Sequence, residues 1–348
     1  PDAIKNLKLY KGGIPAKYGG RVASVLDIYQ KEGNKNKFQA NGGVGIVASR
    51  LLLEGPIKKG TGSFLFGGRA TYAHLLLPLF DVDNIAYFYD LNTKISYKLN
   101  QKNNIYLSGY FGRDVFSISN SFENTYGNTV VNFRWNHLFS DQLFSNLSLI
   151  YSDYYYGLDL NFVGFEWNSG IQNMNIKYDF KQYINDRYKL EYGIHSTYYR
   201  FNPGVISPNG PDSGINREAL TNKFAFENAF YIDVNQQLTE RLALSYGARL
   251  SSFLRLGQDE LNVYENDKAV EYNSDLQIYE KIDPIGTESS SQGKVIKSFL
   301  NFEPRLALSY QLNEDTSLKA SYNRMTQYLH LLSNTSSPAP LDVWTPSG

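Results

Sequence analysis

The sequence has no cysteine, four histidines and two methionines among its 348 residues. Without cysteine there are no disulfides, thiolate nucleophiles or cysteine-based zinc sites, and four scattered histidines leave little for a histidine site. Lys and Arg number 34 against 34 Asp and Glu, so no net basic field points to nucleic acid or to an anionic membrane surface. These absences weigh against many enzyme classes, and no catalytic motif stands out.

Long apolar runs are also missing, and the mean hydropathy is −0.40. The longest apolar cluster, residues 75–80, is far shorter than the roughly 18 residues of a membrane helix, and Pro78 interrupts it. A helical membrane protein is therefore excluded. The 28 Tyr and 21 Phe that are present suit pleated sheets better than packed helices.

Apolar residues recur with a period of two over most of the chain. In residues 91–99 the odd positions are mostly apolar, whereas the even positions include Lys94 and Lys98. The alternation recurs in residues 131–139, 173–180, 188–195, 224–235, 241–250 and 305–312. This pattern predicts strands with one apolar and one polar face, many of them about ten residues long, which is enough to cross a bilayer at about 45°.

The connections between these strands are sorted by length. Short polar turns are predicted at residues 100–103, 140–142, 184–186, 238–240 and 313–315, and long loops at residues 113–128, 153–170, 200–222 and 251–297. Short turns at one end and long loops at the other are typical of outer-membrane β-barrels. Because Lys or Arg facing lipid at midplane costs about 2–4 kcal/mol, we expect Lys94, Lys177 and Arg249 to face a wide polar interior.

About thirteen strands can be counted between residues 37 and 324. An odd number does not close a bacterial barrel of this type, which uses an even number. We therefore expect the sequence to be part of a longer chain.

Residues 10–28 read YKGGIPAKYGGRVASVLDI. This segment resembles the closing segment of the plug domain in TonB-dependent outer-membrane receptors, in the form used by Bacteroidota. Its motif residues are Lys11, Gly12, Gly13, Pro15, Tyr18, Gly19, Gly20 and Arg21. Residues 51–57, 63–64 and 68–72 are similar to the first barrel strands of that family, and residues 329–334 and 342–347 to its mid-barrel portion.

The resemblance implies an all-β fold, part of a 22-stranded antiparallel transmembrane β-barrel with an N-terminal plug. Residues 1–33 would be the C-terminal end of the plug, and residues 34–348 the N-terminal part of the barrel, ending before closure. It implies the cell outer membrane, contact with its lipid, no cofactor, and coupling to the TonB-ExbB-ExbD system through a segment absent here. A SusD-like surface lipoprotein is common in the nutrient-import branch, although no residue here demonstrates one.

Two readings of the plug motif remain open. Arg21 and Lys11 would pair with inward carboxylates such as Glu191 or Glu227 and hold the plug, or they would face water from a glycine-rich turn. Many family members carry Arg where Lys11 stands. Lysine has no planar fork and cannot form the bidentate ion pair that arginine forms.

Three other features have open interpretations. Tyr154, Tyr155 and Tyr156, with Trp167, are either loop residues that stack on a ligand or part of an aromatic girdle. Asp81 and Asp83 are a weak candidate for a Ca²⁺ site, and solvated carboxylates are the alternative. The acidic segment 257–288 either covers the entrance, contacts a partner, or is a solvated loop.

The resemblance favours TonB-dependent active import of a scarce nutrient: a siderophore, an oligosaccharide, a peptide or a vitamin. A receptor-like barrel acting as a structural subunit or scaffold of an outer-membrane assembly is the alternative. A soluble adhesion or sugar-binding β protein is a third reading, but it would not need sorted loops or a charged interior.

Overall fold

The structure is a computed structural model that describes residues 2–75, 77–80, 84–118, 121–257, 259–333 and 342–347. The strands are, in chain order, β1 (Ile4–Tyr10), β2 (Val25–Gln30), β3 (Gln39–Val44), β4 (Ala48–Lys58), β5 (Gly62–Thr71), β6 (Ile85–Lys98), β7 (Asn103–Ile118), β8 (Phe122–Ser140), β9 (Leu143–Leu160), β10 (Phe165–Tyr183), β11 (Tyr188–Pro208), β12 (Glu218–Ala219), β13 (Lys223–Gln237), β14 (Leu242–Leu256), β15 (Asp259–Val263), β16 (Val270–Asn273), β17 (Ile278–Lys281), β18 (Gly286–Ser290), β19 (Val295–Gln311), β20 (Ser317–Asn323), β21 (Leu329–Ser333) and β22 (Asp342–Pro346). Short 3₁₀ helices lie at Ala73–Leu75, Leu77–Phe80 and Glu265–Asp267. Within the described residues, no helix has the length and apolarity needed to cross a membrane.

Fourteen strands form one large antiparallel sheet, which we call the wall. Thirteen of them pair in the order β20, β19, β14, β13, β11, β10, β9, β8, β7, β6, β5, β4 and β3, and β12 pairs with β11 beside this path. Within the described residues the wall does not close on itself. The predicted all-β fold and the thirteen strands counted from the sequence are confirmed.

The connections at one end of the wall are short because their side chains build the turns. Asn100 Oδ1 accepts from the backbone N–H of Lys102, Asn185 Oδ1 from that of Arg187, and Asn313 Oδ1 from that of Asp315. Such Asx turns reverse the chain within a few residues. We call this end of the wall the short-turn end.

The prediction of long loops at residues 113–128 and 153–170 is wrong. Pairing continues until Ile118 lies opposite Phe122 and Leu160 opposite Phe165. Apolar and polar residues alternate only where one face meets lipid, whereas backbone pairing continues beyond that zone. The other two loops are long, although β11 and β14 extend into them. Residues 259–290 contain two antiparallel strand pairs, β15 with β18 and β16 with β17.

The apolar face of the wall points outward. Met174, Ile176, Ile194, Phe230 and Leu250 are all exposed, between 45% and 62% of their full area. Because neighbouring residues on a strand face opposite sides, the polar residues between them point inward.

Residues 2–33, the N-terminal segment, cover the inner face. Ala3 packs with Leu52 and Leu65 near one edge of the wall, whereas the N–H of Gly13 donates to Ser321 Oγ at the other edge, 3.1 Å away. A single segment touches both edges because the wall curves around it. Lys94, 5% exposed, donates from Nζ to the carbonyl of Gln30 at 3.2 Å. The predicted polar interior is therefore confirmed.

The hairpin of β21 and β22, here the inner hairpin, also lies against the inner face. Leu329 is fully buried and belongs to one cluster with Phe201 and Phe253, and Trp344 packs against this cluster. The inner hairpin thus fills the interior next to β10, β11 and β13.

On the outward face of β10 an apolar band runs from Met174 to Phe180, between Gln172 and Gln182. We predict that Ile176→Arg destabilises the wall by about 2–4 kcal/mol, because Ile176 faces lipid near the middle of this band. Gln182→Arg, at the edge of the apolar band, is the control and is expected to cost about 0–1 kcal/mol. Urea unfolding of the full-length protein in lipid vesicles measures both. Equal costs would contradict the outward orientation of this face.

Candidate functional site

Residues 12–21 of the N-terminal segment form a compact irregular loop against the inner face, which we call the motif loop. It turns where the N–H of Tyr18 donates to the carbonyl of Pro15 at 3.0 Å. Gly13 and Gly20 have φ angles of 58° and 76°, which L side chains rarely adopt. Because the loop is not a regular strand, its carbonyl groups must find partners outside it.

Arg305 of β19 supplies several of those partners. Its Nη1 donates to the carbonyls of Ile14 and Pro15 at 3.1 and 3.3 Å, and its Nη2 donates to that of Tyr18 at 3.0 Å. The guanidinium is a planar fork with five donors, so one side chain can bind several carbonyls at once. Arg305 is only 5% exposed.

Arg249 and Asp233 extend this contact along the loop. Arg249 Nη1 lies 3.4 Å from the carbonyl of Ala16 and 3.3 Å from that of Lys17. Asp233 Oδ2 accepts from the N–H of Ala16 at 2.7 Å. Ala16 itself is completely buried. The wall thus recognises both the donors and the acceptors of the loop backbone.

Carboxylates behind the two arginines balance their charge. Arg305 Nη2 lies 3.0 Å from Glu303 Oε2, and Arg249 Nη2 lies 3.8 Å from Glu227 Oε1. Ser251 donates to Glu303 Oε1 at 2.7 Å, and Glu303 is fully buried. Removing one member of such a buried pair leaves an uncompensated charge.

The residues are brought together by strand register. Arg249 of β14 lies opposite Glu303 of β19, and Arg305 lies opposite Gly247. Positions 303 and 305 share one face of β19, as positions 249 and 251 do on β14. Glu227 and Asp233 share the same face of the neighbouring strand β13.

Of the two readings that the sequence leaves open for Lys11 and Arg21, ion pairs with Glu191 or Glu227 are not among those formed by the described residues. Lys11 is exposed, and Arg21 Nη1 donates to the adjacent carbonyl of Gly20 at 2.8 Å. Glu191 is paired with Lys189, and Glu227 with Arg249. The cations that hold the contact therefore belong to the wall, because the loop presents backbone carbonyls rather than side-chain charges. Sequence reasoning placed Arg249 on the polar face but did not single out Arg305.

Two glycines allow the wall to approach the loop. A Cβ on Gly20 would stand 2.7 Å from Glu227 Oε1, and one on Gly19 would overlap the side chain of Arg249. Any larger residue would push these groups apart. Gly12 has more room, since its Cβ would lie 3.2 Å from Ser321 Oγ.

The inner hairpin and the residues before it contact the same loop. Gln327 Oε1 accepts from the N–H of Val22 at 3.2 Å, and a backbone bridge joins Gly20 to Gln327. The Arg21 guanidinium lies 5.9 Å from the centre of the Trp344 ring. The motif loop is therefore held by β14 and β19 and also by the inner hairpin.

Asp27 links the motif loop to β2. It accepts from the hydroxyls of Tyr18 and Tyr29 at 2.7 and 2.8 Å. Burial, with the hydrogen bond to Asp27, raises the pKa of Tyr18 far above its ordinary value. The hydrogen bond to Asp27 raises the pKa of Tyr29 to about 12. Both phenols therefore remain donors at any physiological pH.

The aromatic residues predicted as ligand-contacting loop residues lie on paired strands. Tyr154, Tyr155 and Tyr156 belong to β9, and Trp167 belongs to β10. Tyr156 is fully buried, Trp167 is 6% exposed, and both pack with Leu158. The loop assignment is wrong, because the backbone pairs throughout this region. Tyr155, 42% exposed, faces the opposite side of the sheet from its two neighbours.

Asp81 and Asp83, the weak metal candidate, lie outside the described residues. In the part of the chain that the structure describes, no group of three or more His, Asp and Glu is arranged to hold a metal ion.

A curved antiparallel wall with an apolar outside and a polar, occupied inside defines an outer-membrane β-barrel. A family model described as "TonB dependent receptor-like, beta-barrel" matches residues 66–338. The chain therefore belongs to the TonB-dependent receptor β-barrel family, and it resides in the outer membrane. The family consists of receptors and transporters rather than enzymes. None of the curated proteins compared with the chain matches it.

Solved structures of such receptors share the fold. BauA, the ferric preacinetobactin receptor from Acinetobacter baumannii, is 11% identical with a TM-score of 0.65, over 99% of this chain and 56% of its own. FauA, the alcaligin outer-membrane receptor from Bordetella pertussis, is 14% identical with a TM-score of 0.63, over 97% and 52%. The copper transporter OprC is 11% identical with a TM-score of 0.64, over 91% and 50%. The chain thus spans about half the length of these receptors.

We predict that Arg305→Lys loosens the motif loop. A single ammonium cannot donate to three carbonyls and Glu303 together, and one hydrogen bond from a charged donor contributes about 1.5–3 kcal/mol. The free energy that protects the backbone amides of residues 12–20 from hydrogen exchange in the full-length protein should therefore fall by about 1.5 kcal/mol or more, the contribution of one such bond. Arg187→Lys, at an exposed turn, is the control. Unchanged protection of the loop would refute the role of Arg305.

We also predict that Gly20→Ala displaces the motif loop from Glu227, whereas Gly60→Ala does not. Gly60 has a φ of 73° with nothing within 4 Å of an added Cβ, so both changes carry a similar backbone cost of about 1 kcal/mol. Limited proteolysis of the N-terminal segment measures the difference. Equal cleavage rates for the two variants would show that the contact with Glu227 does not matter.

Proposed function

We propose that the protein imports a scarce nutrient across the outer membrane by TonB-dependent active transport, and that residues 1–33 are the end of its plug domain. The observation that carries this proposal is the way in which the motif loop occupies the interior. Arginines of the wall bind this loop mainly through its backbone carbonyls.

Such a contact suits a plug that must be displaced and must return. Hydrogen bonds contribute about 0.5–1.5 kcal/mol each, or about 1.5–3 with a charged partner, so they can be broken one after another. The charges exposed by displacement stay compensated, because Glu303 and Glu227 remain beside Arg305 and Arg249. The wall therefore keeps a balanced charge in both states.

The cargo is proposed only as a class. Similar solved structures include a copper transporter, a ferric preacinetobactin receptor, an alcaligin receptor, and a haemophore receptor in complex with its haemophore and haem. Likeness of fold does not transfer these cargoes, so siderophores, oligosaccharides, peptides and vitamins all remain within the proposal. The partner would be the TonB-ExbB-ExbD system, with a SusD-like surface lipoprotein as a further candidate. No enzymatic step and no cofactor is proposed.

Uptake by whole cells tests the import proposal. Cells with and without the full-length receptor are supplied with a ferric siderophore, haem, copper, cobalamin, a peptide and an oligosaccharide in turn. We expect uptake of one of these to require both the receptor and TonB. If uptake never depends on the receptor while an outer-membrane assembly is lost without it, the scaffold alternative is correct instead.

The plug assignment has a separate test. We predict that Arg249→Ala with Arg305→Ala lets vancomycin, which an intact outer membrane excludes, enter several-fold more readily, with or without TonB. Arg187→Ala with Arg241→Ala, two exposed arginines at the short-turn end, is the matched control. Unchanged exclusion by a correctly inserted double variant would contradict a plug role for the motif loop.

A further inference from the structure

A polar groove of about 460 Å³ opens near the end of the wall opposite the short turns. Its lining includes Asp153 of β9, Gln172 of β10, Arg200 of β11 and, from the segment before β13, Arg217. Residues 153, 172 and 200 form one row across three strands, because register pairs Gln172 with both Asp153 and Arg200. Gln172 Nε2 donates to Asp153 Oδ2 at 3.0 Å.

This row faces outward. Gln172 lies on the same face of β10 as the exposed Met174 and Ile176, because these residues are two and four positions apart. For the same reason Arg200 lies on the same face of β11 as the exposed Tyr198. The neighbour of Arg200, Tyr199, points inward, since its hydroxyl donates to Glu227 Oε2 at 3.2 Å. Arg200 therefore lies on the lipid side of the wall.

The row also lies at the edge of the apolar band. On the outward face of β10, four apolar residues separate Gln172 from Gln182. Ten residues rising about 3.3 Å each, tilted by about 40°, span about 25 Å, which is the height of the apolar band of such barrels. The next outward-facing residues along these three strands, toward the middle of the membrane, are Tyr151, Met174 and Tyr198, which register places side by side. Aromatic residues at this level are typical of the membrane interface.

The two arginines in the groove are available to a ligand. Both are exposed, and neither forms an ion pair within the residues that the structure describes. Asp153 accepts from Gln172 and, at 3.3 Å, from the hydroxyl of Tyr151. The charged lining thus consists of two arginines and one aspartate, and it is positive at the level where lipid headgroups lie.

We propose that this groove binds a phosphate-bearing lipid headgroup of the leaflet at the end of the wall opposite the short turns. The guanidinium forks of Arg200 and Arg217 bind phosphate oxygens, and the acyl chains lie along Met174 and Ile176. The proposal depends on the orientation of the wall in the membrane and not on the import proposal. It adds a local site to a chain whose formal net charge is zero.

Native mass spectrometry of the full-length receptor, titrated with bisphosphorylated lipid A, tests the site. We expect Arg200→Ala with Arg217→Ala to weaken binding about thirtyfold, or about 2 kcal/mol, from about 1 kcal/mol for each arginine near a membrane surface. Arg187→Ala with Arg241→Ala, at the short-turn end, should bind like the unmodified receptor. Arg200→Lys with Arg217→Lys keeps both charges and should retain part of the affinity.

Three results would overturn the proposal. The first is equal binding by the Arg200 and Arg217 double alanine variant, shown to be folded by heat-modifiable electrophoretic mobility. The second is equally tight binding of dephosphorylated lipid A, which would show that the phosphates are not recognised. The third is displacement of the lipid by an equal concentration of inorganic phosphate, which would identify a site for the free ion.

Discussion

The alternation of side chains along each strand governs the rest of the structure, because one face of the wall meets lipid and the other encloses polar groups. On β14, Leu250 is exposed on the outer face, while its neighbour Arg249 is 3% exposed and bound to the motif loop. A slip of one residue in register would exchange the two faces and bury each group in the wrong medium. The strand register thus determines both which apolar side chains face lipid and which charged side chains face the interior.

A polar interior requires an occupant that can satisfy it. The motif loop presents carbonyls that no ladder satisfies, and Arg305 binds three of them while Glu303 balances its charge. Lysine would offer the same charge but not the planar fork. The glycines fit this arrangement, because Gly20 adopts a left-handed φ beside Glu227 and has no Cβ to separate them. Loop and wall are therefore complementary in backbone as well as charge.

Much of the fold could be predicted from the sequence, because alternation reports the zone in which one face meets lipid. The seven alternating segments lie on β6, β8, β10, β11, β13, β14 and β19 of the main path. Outside that zone the alternation is absent although strand pairing continues. The strand portions that contain Tyr155 and Phe116 were therefore wrongly expected to be loops. The composition of the contact was missed for another reason. Arg21 and Lys11 are conspicuous in the motif, whereas the partners of Arg305 are backbone carbonyls, which leave no trace in residue identity.

The same alternation separates two sets of arginines that composition alone does not distinguish. Arg249 and Arg305 point inward, where low exposure and nearby carboxylates make them partners of a protein segment. Arg200 points outward to the lipid side, whereas the adjacent Tyr199 points into the polar interior and donates to Glu227. An outward arginine within the apolar band would cost about 2–4 kcal/mol, but one level above the interfacial Tyr198 that cost falls to about 0–1 kcal/mol. The position of an outward arginine relative to the apolar band therefore decides whether it destabilises the barrel or can bind the surrounding lipid.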